Sequence, residues 1–177
     1  MHASLRALIP ATLIALAASA DAKLATSREP SVGFTAVGPR GLKINGHSTS
    51  LQVEGDDKNI TITVPLSALD TGIGLRNSHM KDKYLEVSKY PNAVLVVPKI
   101  SVGYPNASAS KATGTLTLHG VTKPTAFNYD VRKDGADYTV SGSLRVNLAD
   151  FKIEQPSFAG MKVDPDIDVK VSFRARD

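Results

Sequence analysis

The sequence predicts an all-β, antiparallel domain with one short helix, its strands closing into a barrel or stacking as a sandwich. Three observations predict it. Val and Thr supply 16 and 13 of the 177 residues, and Asp outnumbers Glu by 13 to 4, a balance that suits strands and turns over helices. Apolar residues recur with period two in segment after segment, the spacing of half-buried strands. Gly, Pro, Asn and Asp punctuate those segments and leave little room for long helices between them.

Residues 1–22 stand apart from this pattern and read as an export signal. Arg6 precedes an apolar stretch from Ala7 to Ala18, and two small-x-small sites follow, Ala18-Ser19-Ala20 and Ala20-Asp21-Ala22. The stretch is about a dozen residues long and contains Pro10, whereas a spanning helix needs ~20. Residues 23–177 then form one domain, long enough to bury roughly two thirds of its unfolded surface. The expected location is periplasmic or secreted.

Short strand candidates come first, at 32–36, 43–50 and 51–54. Ile60, Ile62, Val64 and Leu66 then face one way while Thr61 and Thr63 face the other. Residues 75–87 break the alternation, because Met80, Tyr84 and Val87 recur at helical spacing. Asn77 or Ser78 can cap this helix, and Tyr90-Pro91 stops any extension. Strands resume at 94–100, at Leu116 and Leu118, at Phe127, Tyr129 and Val131, and at Tyr138, Val140, Leu144, Val146 and Leu148. The last, 166–174, is the clearest, with Ile167, Val169, Val171 and Phe173 alternating with charged or polar neighbours. Strands with one wet face must bury the other by closure or stacking.

Much chemistry is excluded. There is no cysteine, which removes disulfides, thiolate nucleophiles and cysteine-based metal sites. His47, His79 and His119 share no metal-ligand spacing. No Gly-x-Ser-x-Gly elbow and no phosphate-cradling loop occurs. Asp164, Asp166 and Asp168 imitate the start of a calcium loop but lack its glycine and its terminal glutamate, so they read as a solvated strand face. Net charge is +4 and the pI about 9.3, yet basic and acidic residues interleave, which disfavours nucleic acid. No catalytic residue, metal or cofactor is expected.

Two segments carry a family resemblance. The stretch from Asp70-Thr71-Gly72-Ile73-Gly74-Leu75-Arg76-Asn77-Ser78-His79-Met80 to Tyr90-Pro91 resembles the helix-bearing signature of the YceI-like, polyisoprenoid-binding family of secreted bacterial proteins. Gly114-Thr115-Leu116-Thr117-Leu118-His119-Gly120-Val121-Thr122-Lys123-Pro124 resembles its other signature. Some positions depart. Phe34 is not followed by the histidine the family often carries, Asn77 stands where Asp is common, and Tyr84-Leu85 replaces the usual aromatic pair. These changes bear on ligand identity rather than fold.

The resemblance implies an extended, lipocalin-like antiparallel barrel of about eight strands. Its lumen would hold a long apolar chain, such as a polyisoprenoid, an isoprenoid quinone or a fatty acid or amide, for storage or transport in the cell envelope. The lumen candidates are Phe34, Ile62, Val64, Leu75, Met80, Tyr84, Leu95, Leu116, Leu118, Phe127, Tyr129, Val140, Leu144, Phe158, Val169 and Val171. An apolar lipid is the expected partner, with room for a transient contact with a membrane surface and for a homodimer. The rival readings are a structural or interaction barrel with a filled core, and a lipid-modifying enzyme in which Arg76, His79 or His119 converge. Residues 154–165, with Phe158 and Met161 around Gly160, read as a flap over the lumen mouth.

Protein recovered from the periplasmic fraction should begin near Asp21 or Lys23 on terminal sequencing. An intact Met1 there, or quantitative recovery in the cytoplasm, would contradict the export reading.

Overall fold

The structure of the chain is a computed structural model that describes residues 25–103, 106–158 and 160–176. The segment read as an export signal lies outside the described residues. In chain order the strands are β1 (Ala25–Val37), β2 (Lys43–Ser48), β3 (Gln52–Gly55), β4 (Asn59–Pro65), β5 (Asn92–Pro98), β6 (Ala107–Leu118), β7 (Val121–Asp134), β8 (Asp137–Asn147), β9 (Ser157–Phe158), β10 (Met161–Lys162) and β11 (Asp166–Arg176).

The predicted choice between barrel and sandwich is settled by β1. One edge of it pairs with β11 from Ala25↔Arg176 to Thr35↔Asp168. Its other edge pairs with β2 from Val32↔Ser48 to Val37↔Lys43, and with β3 at Ala25↔Glu54. Thus β2 and β3 act as one broken stave, and the nine strands of the main sheet make an antiparallel ring of eight staves. The short β9–β10 hairpin is separate.

Cross-strand partners share a face, so the register fixes what points inward. Val32↔Val171, Phe34↔Val169, Val140↔Phe173, Val131↔Val140, Ile62↔Leu95 and Leu95↔Leu116 are apolar pairs on the inside. Outside, Ser31 faces Ser172 and Asp168 faces Arg145, whose Nε lies 2.8 Å from the carboxylate. Asp166 accepts from Asn147 Nδ2 at 2.7 Å. The aspartates that imitate a calcium loop therefore serve the wet face, as their spacing on a strand implies.

The interior divides into two apolar clusters. Leu66, Leu69, Leu116, Leu118, Val146, Leu148, Phe151 and Ile153 pack at the end that carries the helix. Val32, Leu51, Val53, Tyr138, Phe173 and Ala175 pack at the far end.

The helix differs from its prediction. It starts at α1 (Gly74–Ser78) and continues as a π-helical turn, His79–Tyr84. Neither Asn77 nor Ser78 caps it, since the capping position is Ile73. Asn77 instead sits inside the helix, where its Oδ1 accepts from Thr71 N at 2.8 Å and Thr71 Oγ1 at 2.7 Å. Its amide thus folds the preceding loop back onto the helix.

Two glycines permit close approach of strands and rings. A side chain at Gly46 would run into the Phe34 ring. At Gly114 a Cβ would lie 2.8 Å from the Val96 carbonyl oxygen and 3.0 Å from Leu95 Cδ1, and backbone cannot swing aside as a side-chain tip can. Gly114→Ala should lower stability by about 1–3 kcal/mol, the usual cost of overpacking. Urea denaturation measures it, and an unchanged midpoint would show that the β5–β6 ladder yields freely.

Candidate functional site

The inward faces of β4, β5, β7, β8 and β11 enclose an apolar cavity of about 90 Å³ at the far end of the barrel. Ile60, Ile62, Val97, Phe127, Tyr129, Val131, Tyr138, Val140, Phe173 and Ala175 line its walls, and Val102 and Gly103 line it from the loop after β5. Phe127 and Tyr129 meet at a tilt of 53° with ring centroids 5.8 Å apart. The Tyr129 hydroxyl accepts from Gly103 N at 2.6 Å, which ties the loop to the wall and satisfies the polar tip of the ring. The cavity is smaller than the roughly 150 Å³ that accepts benzene, so it suits the tip of a slim chain. A longer chain must run on among Phe34, Met80, Tyr84, Leu95, Leu144 and Val169, which pack beside the helix-end cluster yet remain partly exposed.

Of the residues predicted from the sequence, Ile62, Phe127, Tyr129 and Val140 line the cavity. Val64 and Val171 pack beside the far-end cluster. Phe34, Met80, Tyr84, Leu95, Leu116, Leu118, Leu144 and Val169 gather at the helix end, with Leu116 and Leu118 fully buried. Leu75 departs from the expectation. It is 69% exposed, because the inward side of the helical segment carries Arg76, Met80 and Tyr84 and a one-residue offset turns a side chain about 100° away. The Phe158 side chain lies outside what is described.

Residues 154–165 are the segment expected as a flap over the lumen mouth. They form the β9–β10 hairpin, held by Val163 N to Pro156 O at 2.8 Å and Asp164 N to Val37 O at 2.7 Å. Val37 and Asp166 belong to the helix end of the ring, so the hairpin sits opposite the cavity. Val131, which period two puts on one face with Phe127 and Tyr129, was not among the lumen candidates and lines the cavity as they do. Val102 and Gly103 come from a loop and carry no periodic signal.

His119 is a latch at the helix end. It occupies the tight turn between β6 and β7 at φ 51. Its Nδ1 lies 3.1 Å from Phe151 O and its Nε2 lies 2.9 Å from Glu86 Oε2. Tyr90 packs on the imidazole at a centroid distance of 4.6 Å. Arg76 bonds Thr71 O, His119 bonds Glu86 and Phe151, and His79 is exposed, so these three do not converge on one another. Among the described residues no group of three His, Asp or Glu side chains is set to hold a metal ion.

Comparison with known proteins fits this geometry. Residues 25–175 match the YceI-like domain. A UPF0312 protein of Pseudomonas savastanoi pv. phaseolicola is 33% identical over 115 residues, 61% of this chain and 59% of that protein. The match therefore spans less than two thirds of that relative's length. A polyisoprenoid binding domain from Saccharophagus degradans, implicated in plant cell wall breakdown, superposes with a TM-score of 0.74 at 18% identity, covering 88% of this chain and 98% of that one. BcnA of Burkholderia cenocepacia superposes with a TM-score of 0.60 at 21% identity, covering 81% and 95%. At these identities the likeness is one of fold.

Lys89, 2.6 Å from Glu86 Oε1, and then His119 hold the Glu86 carboxyl below its ordinary value of 4.5. A depressed native pKa adds stability that is complete above the unfolded value and is lost as pH falls through the native one. The melting difference between wild type and Glu86→Gln should therefore be largest above pH 4.5 and close as the solution is acidified below it. A difference that stays constant through this range would contradict the pairing of Glu86 with Lys89 and His119.

Proposed function

This chain belongs to the YceI-like domain family, and we propose on that premise that it is a binding protein rather than an enzyme, holding one long apolar chain in the barrel lumen. The observation that supports this best is the state of the inward faces. Ile60, Ile62, Val64, Phe127, Val131, Val140 and Val171 point inside yet are only half-buried, around a cavity with wholly apolar walls. A core that existed only to be filled would leave less of its surface accessible. The polyisoprenoid-binding domain from Saccharophagus degradans shares the barrel and supports the same class of ligand.

Each methylene withdrawn from water contributes about 0.8 kcal/mol. A polyisoprenoid, an isoprenoid quinone or a fatty acid or amide therefore binds largely through its chain, and the lumen needs shape and dryness more than directed polar contacts. The role we assign is lipid storage or transport in the cell envelope, in the periplasm or outside the cell, with transient contact at a membrane surface for loading.

Protein purified from its host should carry an apolar lipid at one per chain, detected by native mass spectrometry and identified after organic extraction. Val140→Arg should lower that load several-fold, since a charge placed among these walls costs several kcal/mol unless it escapes to water. Lipid-free wild type would favour the filled-core barrel instead, and a folded Val140→Arg protein with full load would place the chain elsewhere.

A further inference from the structure

The helical segment brings a guanidinium, that of Arg76, to its inward side without a counter-charge. Along residues 75–84, positions 76, 77, 80, 81 and 84 are half-buried and positions 75, 78, 79, 82 and 83 are exposed. Arg76 therefore shares the inward side with Met80 and Tyr84, which pack beside the helix-end cluster. Its Nη2 donates to Thr71 O at 2.5 Å, while its Nε is buried and has no hydrogen-bond partner. Among the described residues no carboxylate forms an ion pair with it.

The surroundings hold this arrangement in place. Asp70 and Asp82 lie six residues to either side of Arg76: Asp82 is on the exposed side of the segment, and Asp70 is turned to other donors, accepting from Asn77 Nδ2 at 2.6 Å and Gly72 N at 2.8 Å. Asn77 in turn grips Thr71 through both its backbone N–H and its hydroxyl. The chain Asp70, Asn77, Thr71 thus fixes the carbonyl that orients the guanidinium and engages the Asp70 carboxylate with Asn77 and Gly72. A guanidinium offers five N–H donors in a planar fork that matches a two-oxygen anion, and a buried N–H left without an acceptor is costly. A carboxylate or phosphate oxygen would satisfy the Nε and neutralise the charge together.

We infer that Arg76 anchors the anionic head group, carboxylate or phosphate, of a lipid whose chain occupies the lumen. This rests on the lipid-carrier reading above and narrows it to acidic lipids over neutral quinones and amides. The head group lies at the helix end and the chain points toward the cavity at the far end.

Delipidated mature protein titrated calorimetrically with hexadecanoic acid, hexadecan-1-ol and acetate tests the assignment. Wild type should bind the acid about tenfold or more tighter than the alcohol, the size of effect a charge-assisted hydrogen bond gives, and acetate should bind far more weakly than either. Arg76→Met should lower affinity for the acid by about that factor and for the alcohol by less than about twofold. Arg76→Lys, which keeps the charge but loses the fork, should fall between them, with thermal melts showing that both variants fold. Equal affinity of wild type for acid and alcohol, or an undiminished preference in folded Arg76→Met, overturns the inference while leaving the lipid reading intact. Acetate binding as tight as the acid would make this a site for a free small anion and overturn it too. Failure of wild type to bind either long-chain probe overturns the carrier reading and this inference with it.

Discussion

The pairing of β1 with β11 is the constraint on which the rest of the molecule depends. It joins the first described strand to the last, so the ring closes only when the whole domain has folded. Without it the sheet would have two open edges and an apolar face turned to water, the arrangement that invites aggregation. With it, every inward side chain from Val32 to Ala175 is committed to one enclosed volume. The broken stave formed by β2 and β3 follows from the same ladder. Because β1 is longer than either, it needs one partner near each end, and residues 49–51 carry the chain between them.

Closure also decides what the ends must do. The helix end is the more closely packed one: Leu116, Leu118, Leu148 and Phe151 are buried there, and His119 ties the β6–β7 turn to Glu86 and to the carbonyl of Phe151. The far end keeps its cavity, its walls held apart by Tyr129, Tyr138 and Phe173 and its rim formed by Val102 and Gly103. A barrel more closely packed at one end and roomier at the other has a direction. Arg76, on the inward side of the helical segment, gives that direction a chemical sense, with polarity at one end and dryness at the other.

Where period two governs, the sequence was a faithful guide. Ile62, Val64, Phe127, Tyr129, Val140, Val169 and Val171 all point inside because alternation on a strand is geometric and a closed sheet has one dry face. What escaped was set by contacts distant in sequence. Leu75 looked inward only on a helix phased differently from the one that Asn77 and Thr71 lock in place. The end of the barrel that the segment around Gly160 occupies was not legible, because the bond from Asp164 N to Val37 O draws it to the helix end. Val102 and Gly103 reach the cavity through a loop whose path depends on the hydroxyl of Tyr129, a residue in a strand that comes later in the chain. The full burial of Leu116 and Leu118 was not legible either, since it comes from Leu148 and Phe151, which follow far later in the chain and share their cluster.

The central claim is that an apolar chain lies inside the ring and not on its outer wall. The most direct measurement is methyl NMR of the folded protein with a fatty acid bearing a nitroxide near its chain terminus. The account predicts broadening of the methyl signals of Ile60, Ile62, Val131 and Val140, which line the cavity, and sharp signals from Val94 and Val96, which pair with Thr117 and Thr115 on the outer face. Broadening of Val94 and Val96 with the cavity methyls unaffected, or no broadening anywhere, would contradict it.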